Sequence, residues 1–400
     1  MMSSIAIRGV VCLLFWLALV TKSQGNTYDV RHYGAKINGH SDDSQAIVSA
    51  WREACASPNP SKVVIPAGTL MVGAVKFQGP CKAPVIVQAQ GTLKAPTDLN
   101  KLKSQDGWIV LQNIDGLTLV GGTFDGQGST AWAENNCAKT GKCNSLPINL
   151  RFNMVNNSII RDITSLNSKL FHMNLLGCNN VTLQHVTIDA AATSLNTDGI
   201  HVGRSNGINI SDANIKTGDD CVSLGDGSQH VNVEKVNCGP GHGISIGSLG
   251  KYHNEEPVIG VTIRNCTLTN TMNGVRVKTW PASPNGLARD LHFENIVMNN
   301  VSTPILIDQQ YCPYGQCKAQ VPSKVKITDV SFKDIRGTSA TKLAVKLVCS
   351  RGTPCQNVEM SGIHLVYEGN NGSATSQCVN VKPMFTGPLF PPACASSLSS

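Results

Sequence analysis

Asp198-Gly199-Ile200-His201-Val202, Asp220-Cys221-Val222-Ser223-Leu224, His242-Gly243-Ile244-Ser245-Ile246 and Asn273-Gly274-Val275-Arg276-Val277 are four versions of one short register. Each opens on a polar residue, continues with Gly or Cys, and closes with two aliphatics flanking one polar position. The first three lead residues are 22 positions apart, and the fourth follows after 31. Self-similarity at such a period marks a solenoid, in which each repeat is one coil and equivalent residues stack on neighbouring coils. Strands stacked in this way lie about 4.8 Å apart. Asp198, Asp220 and His242 are therefore expected to form a ladder on one face, with Asp219 beside Asp220.

The same periodicity extends outward from this stretch. An aliphatic-x-aliphatic pair recurs as Val181/Leu183 with Val186/Ile188, and as Ile208/Ile210 with Ala213/Ile215. It returns as Val231/Val233, Val261/Ile263, Leu291/Phe293, Val325/Ile327 and Val358/Met360, the second members 27, 23, 30, 30, 34 and 33 residues apart. A β-sandwich would carry hairpin turn signals roughly every 8–12 residues, and a leucine-rich repeat would place a helical segment after each strand. The pattern instead predicts an all-β, single-domain parallel β-helix, right-handed as parallel crossovers are. Asn179-Asn180 and Asn299-Asn300 suit left-handed bends between strands. After Ser41 or Asp42 as N-cap, Ile47, Ala50, Trp51 and Ala54 recur at helical spacing. They predict an N-terminal helix covering the open end of the solenoid, with Trp51 in cap packing rather than on a ligand.

Residues 1–25 read as a secretory signal peptide: Arg8, an apolar run from Val10 to Val20, then Ser23-Gln24-Gly25. The run is too short to span a membrane. The domain is expected to occupy 26–400 and to be secreted. Loss of Cys12 leaves 14 cysteines, with Cys137/Cys143, Cys312/Cys317 and Cys349/Cys355 close in sequence, which fits an oxidising compartment. Cys378 and Cys394 are expected to pin the tail. Cys266 falls where the repeat has Val186, Ala213 and Val236, so it is expected buried and unpaired, with Cys178 its companion. Six sequons (Asn156, Asn180, Asn209, Asn265, Asn300, Asn371) fit the same route. The net charge of +7 falls to about +5 without Arg8 and Lys22; it suits a polyanionic partner and equally an ordinary surface. A monomer is expected, with no nucleic-acid or membrane partner.

Crowded carboxylates divide acid and base roles, because like charges raise one pKa. Glycoside hydrolysis needs that division: one protonated carboxyl for the leaving oxygen and one carboxylate for water or the anomeric carbon. A single Asp-Gly is ordinary turn chemistry. A register-matched set of Asp198, Asp219 and Asp220 joined by His242, Arg276 and Lys278 is not. Arg276 and Lys278 alternate along one strand and so share a face, where Arg offers a two-pronged carboxylate contact and Lys a point charge. A negatively charged sugar acid suits such a pair.

Asn196-Thr197-Asp198-Gly199, Gly218-Asp219-Asp220, Gly241-His242-Gly243 and Arg276-Val277-Lys278 together resemble the four motifs of the polygalacturonases, a family of glycoside hydrolases. Tyr311, in Gln310-Tyr311-Cys312, matches a further site tyrosine, and the likeness covers nearly all of the chain beyond residue 25. The resemblance implies a right-handed parallel β-helix that hydrolyses α-1,4 bonds of polygalacturonic acid (pectin) with inversion, without metal or other cofactor. It makes Asp219 the general acid, Asp198 and Asp220 the groups that activate water, and His242 the support of the acid. Asn196, Arg276, Lys278 and Tyr311 are then the substrate-binding residues. The Gly243–Gly250 and Tyr311-Cys312-Pro313 stretches are most similar to plant pollen-type exopolygalacturonases, which implies exo action in the cell wall. Gly128–Pro147 and Pro281–Leu287 are candidate loops for closing one end of a cleft, as are Lys251–Pro257 and Tyr311–Val321 for shaping it.

Adjacent rungs bring carboxyls nearer the roughly 5–5.5 Å of retaining enzymes than the roughly 6.5–9.5 Å of inverting ones; three carboxylates can still seat a water between them. The alternatives are an endo-acting polygalacturonase, a calcium-dependent pectate lyase, or a wall-binding protein without catalysis. A cation held by Asp198, Asp219, Asp220 and His242 is conceivable on ligand type, but Arg276 and Lys278 are poor neighbours for it.

Overall fold

The computed structural model describes residues 25–102, 106–134, 146–313, 315–370, 372–394 and 396–397. The leader, the Cys137/Cys143 pair, most of Gly128–Pro147 and the sequon Asn371 lie outside the described residues.

The chain winds into a right-handed parallel β-helix. One face is built from β1 (Met173–Leu176), β2 (Ile200–Gly203), β3 (Val222–Leu224), β4 (Ile244–Leu249), β5 (Asn273–Thr279) and β6 (Thr303–Asp308). All pair in parallel with their neighbours. A second face carries Asn179–Gln184, Asn206–Ser211, Gln229–Glu234 and Val258–Arg264, and a third the shorter Thr187–Asp189, Asn214–Lys216 and Thr267–Thr269.

Alternation decides what lies inside. Met173, Ile200, Val222, Ile244, Val275 and Ile305 form one register column, and all are fully buried. Leu175, Val202, Leu224, Ile246, Val277 and Ile307 form a second, equally buried. Each such side chain stabilises the fold by about 1.5–3 kcal/mol, and Ile244→Ala would cost about 2–5 kcal/mol.

The coils turn at left-handed residues that stack as regularly as the core. Asn157, Asn180, His230, Asp290, Asp329 and Asn357 have φ between 47° and 60°, and they occupy one register position. Asn and Asp tolerate this conformation because their short polar side chains bond locally. The expected bends are at Asn180 and Asn300, both at φ 53°. Amide ladders tie the turns together, as in Asn180–Asn157 (2.8 Å) and Asn300–Asn270 (2.8 Å).

Two expectations need correction. Leu291/Phe293 pairs with Val330/Phe332, not with Val325/Ile327, and Val330/Phe332 in turn pairs with Val358/Met360. Phe293 and Phe332 stack at 4.9 Å. The strand Val325–Ser339 holds two alternating apolar pairs, and periodicity cannot choose between registers that bury both. The helix, α1 (Ser44–Ala56), begins after Asp43, not Ser41 or Asp42. Asp43 spends its carboxylate on Lys36 N (2.6 Å) and Ile37 N (3.1 Å), while Asp42 accepts from Ser44 N (2.9 Å).

The helix packs its buried face (Ile47, Ala50, Trp51, Ala54) on the first coils. Trp51 bonds Gln78 O at 3.1 Å and meets Phe77 edge-on at 5.0 Å, so it is cap packing. Disulfides join Cys55–Cys81, Cys221–Cys238, Cys312–Cys317, Cys349–Cys355 and Cys378–Cys394; Cys178 and Cys266 are buried and free. Among the described residues no helix is long and apolar enough to cross a membrane.

Candidate active site

The four lead residues Asp198, Asp220, His242 and Asn273 each sit two positions before paired core residues Ile200, Val222, Ile244 and Val275, so they occupy equivalent points of successive coils. The backbone is drawn tight here: Gly199 N bonds Asp220 O (2.8 Å) and Cys221 N bonds Gly243 O (2.8 Å). That closeness explains the small second residue of the register. A Cβ on Gly243, whose φ is 97°, would stand 2.2 Å from Asn273 O. Cys221 fits at the same position by turning inward to its disulfide with Cys238.

Asp219 faces the cleft beside His242, whose Nδ1 lies 3.0 Å from its Oδ1. The same oxygen accepts from Asp220 N at 2.8 Å, and Asn196 Nδ2 reaches the other at 3.5 Å. Asp220 is buried and ringed by donors. Its Oδ1 accepts from Arg276 Nη2 (2.6 Å) and Ser245 Oγ (2.9 Å), and its Oδ2 from Lys278 Nζ (2.7 Å). Burial alone would raise its pKa; the two cations outweigh it and hold the carboxyl well below the usual range. Arg276, in turn, is held protonated by Asp220 against its own burial.

Asp198 is also buried, and among the described residues no cation contacts it. Burial, then the charges of Asp219 and Asp220, push its pKa well above the ordinary value, against smaller opposition from Lys278 and Ser223. Its Oδ2 accepts from Ser223 Oγ at 2.8 Å, and Ser223 Oγ lies 2.8 Å from His201 Nδ1. Tyr311 covers the cations, its ring 5.1 Å from Lys278 Nζ and 6.0 Å from Arg276 Cζ, and Trp280 meets it edge-on at 5.6 Å.

Every residue singled out for the site thus converges on one face, within reach of β3 and β5. Two features differ from the simple reading. Arg276 and Lys278 both bind Asp220, and the carboxyl whose pKa is raised is Asp198. Asp219, Asp220 and His242 bring ligand-type atoms within 4.8 Å of one another, yet both oxygens of Asp220 are committed to positive side chains. His201, Ser223 and Ser245 were not singled out. Their signal was present as the polar middle position of each repeat, which the register places in one outward column running His201, Ser223, Ser245, Arg276.

A parallel β-helix with three carboxylates and two paired cations on one outer face defines a solenoid enzyme of the acid–base, sugar-cleaving class. Residues 55–394 match the family model described as glycosyl hydrolases family 28, and the chain belongs to that family. It is 58% identical to an exopolygalacturonase of Arabidopsis thaliana, covering 92% of this chain and 83% of that one. To an exopolygalacturonase of Platanus acerifolia it is 55% identical, over 92% of this chain and 98% of the other. The endo-xylogalacturonan hydrolase of Aspergillus tubingensis superposes with a TM-score of 0.77 at 24% identity, over 91% and 99% of the two chains, a likeness of fold.

Proposed function

We propose that this protein hydrolyses α-1,4-galacturonosyl bonds of polygalacturonate, releasing monogalacturonate from chain ends, as a secreted monomer acting on cell-wall pectin. The observation that carries this is the carboxylate cluster beside Arg276 and Lys278: acid–base groups and carboxylate-binding groups share one face of the β-helix. The identity to plant exopolygalacturonases favours exo over endo action. Elimination would call for a cation and a lone base, whereas Asp220 already holds two positive side chains.

In this reading the free protein keeps one proton on Asp198, because burial opposes its charge. Substrate binding passes that proton to Asp219, which His242 orients. Asp219 then protonates the leaving glycosidic oxygen. Asp198, now ionised, takes a proton from water as the hydroxyl adds to the anomeric carbon from the opposite side, so the sugar inverts. Asp198 ends protonated and Asp219 ionised, and the cycle closes without an outside proton. Asp220 stays ionised, helps align the water, and fixes Arg276 and Lys278, which with Asn196 and Tyr311 take the galacturonate. Asp219 and Asp220 approach within 4.8 Å, closer than a typical inverting pair, so in this scheme the water sits against Asp198. Of the sequons, Asn209 is exposed and leaves its amide nitrogen out of the ladder, since it accepts from Asn232 (3.1 Å), and is the best placed for glycan.

The test is an early product profile on de-esterified polygalacturonate with chelator present. Saturated monogalacturonate alone, released first as the inverted anomer, is the expected result. A ladder of saturated oligomers would overturn exo action; an unsaturated product, or none, would overturn hydrolysis.

A further inference from the structure

Two serines stand on adjacent rungs of the outer face, Ser223 paired with Ser245 in register. Each donates its hydroxyl to the lead carboxylate of the preceding coil, Ser223 to Asp198 and Ser245 to Asp220. Each contacts a nitrogen-bearing side chain of the same outward column. Arg276 Nε donates to Ser245 Oγ (2.6 Å), and His201 Nδ1 lies 2.8 Å from Ser223 Oγ. The chains therefore have the same form, but one ends in a permanent cation and the other in an imidazole.

We propose that His201 and Ser223 are positioning residues that hold Asp198 as the base of the reaction, His201 acting only through Ser223. The inference rests on the hydrolytic reading above. A serine hydroxyl that gives its proton to Asp198 Oδ2 accepts from His201, so His201 carries its proton on Nδ1. Burial, then Lys278, lowers the pKa of His201 to about 4, which keeps the ring neutral and the direction of the chain fixed. Asp220 and Asp226 act on His201 in the opposite sense. Phe171 packs against the ring at 5.1 Å, and Gly225 leaves it room: a Cβ there would lie 3.2 Å from Cε1 and Nε2. With Oδ2 engaged, Asp198 Oδ1 takes no hydrogen bond among the described residues and is the oxygen left for water. Around Asp198 the facing charges are Asp219, Asp220 and Lys278; none of them is aimed by the relay.

The relay makes a prediction that simple packing does not. Ser223→Ala removes a donor that favours the ionised form of Asp198, so the acid limb of kcat against pH should move upward by about one unit. At the old midpoint kcat should fall about fivefold, and below it about tenfold, with KM within about twofold and recovery at higher pH. Ser223→Thr keeps the hydroxyl and should keep the wild-type limb. His201→Leu should shift the limb in the same direction and His201→Asn, which retains a donor, should restore it; these part-exposed substitutions carry the test if Ser223→Ala does not fold. A uniform loss at every pH, an unchanged kcat, or a change confined to KM would overturn the relay. Carboxyl ¹³C NMR titration of Ser223→Ala without substrate separates the two readings. A rise of the Asp198 pKa upholds the relay even where the wild-type protein does not hydrolyse polygalacturonate, and an unmoved Asp198 overturns it.

Discussion

Asp198 and Asp220 lead equivalent segments of adjacent coils, 22 residues apart, and both are almost fully buried. From the repeat alone they are interchangeable. Their difference arises on other coils, where Arg276 and Lys278 reach back from β5 to Asp220 and leave Asp198 with a serine and a neutral imidazole. A solenoid gives each coil nearly the same backbone, so chemical roles are assigned by what the next rungs extend across the face. Two buried carboxyls on equivalent coils thus have their pKa values driven apart by different neighbours, one towards holding a proton and one towards staying ionised.

The largest break in that comparison removes the carboxyl between them. Asp219→Asn should fold normally and lose about 10²–10⁴-fold in hydrolysis, the usual worth of general acid catalysis. A variant with more than about a tenth of the wild-type rate would take Asp219 out of the acid role.

The pair itself is broken by stability. Asp220→Asn leaves Arg276 and Lys278 without their counter-charge and should cost about 3–5 kcal/mol at pH 7. Because the folded pKa of Asp220 is depressed, its contribution is present above the unfolded carboxylate value, about 3.9, and disappears as pH falls through the folded value. Asp198 has the opposite sign. Its raised pKa favours the fold below about 3.9, and that advantage is lost as pH rises through the folded value. Asp198→Asn should therefore stabilise the protein at pH 7 and do little at pH 3. Melting temperatures of both variants at the two pH values check this; shifts of the same sign at pH 7 would remove the asymmetry.

What was legible in the sequence was what the repeat itself encodes. The core columns, the Asn turns, the capping helix and the convergence of Asp198, Asp219, Asp220, His242, Arg276 and Lys278 all follow from period and register. What was not legible depends on side-chain choices that period does not constrain. Asp43 holds the N-cap position without a side-chain cap bond, because its carboxylate is spent on the preceding loop. Val325/Ile327 lost the register to Val330/Phe332 because both pairs alternate, and the stacked Phe293 and Phe332 rings mark the pairing adopted. Cys221–Cys238 joins two residues whose spacing alone does not pair them. Ser223 and Ser245 are polar middle positions of the repeat, and only their hydrogen bonds tie them to carboxylates.

The division between the two carboxyls can be measured directly by ¹³C titration of aspartate carboxyls in the wild-type protein, assigned with Asp198→Asn and Asp220→Asn. Asp198 should titrate well above the ordinary carboxylate range, and Asp220 should stay ionised to the acid limit of the folded state. If both titrate together near the ordinary value, the neighbouring rungs do not set the two carboxyls apart.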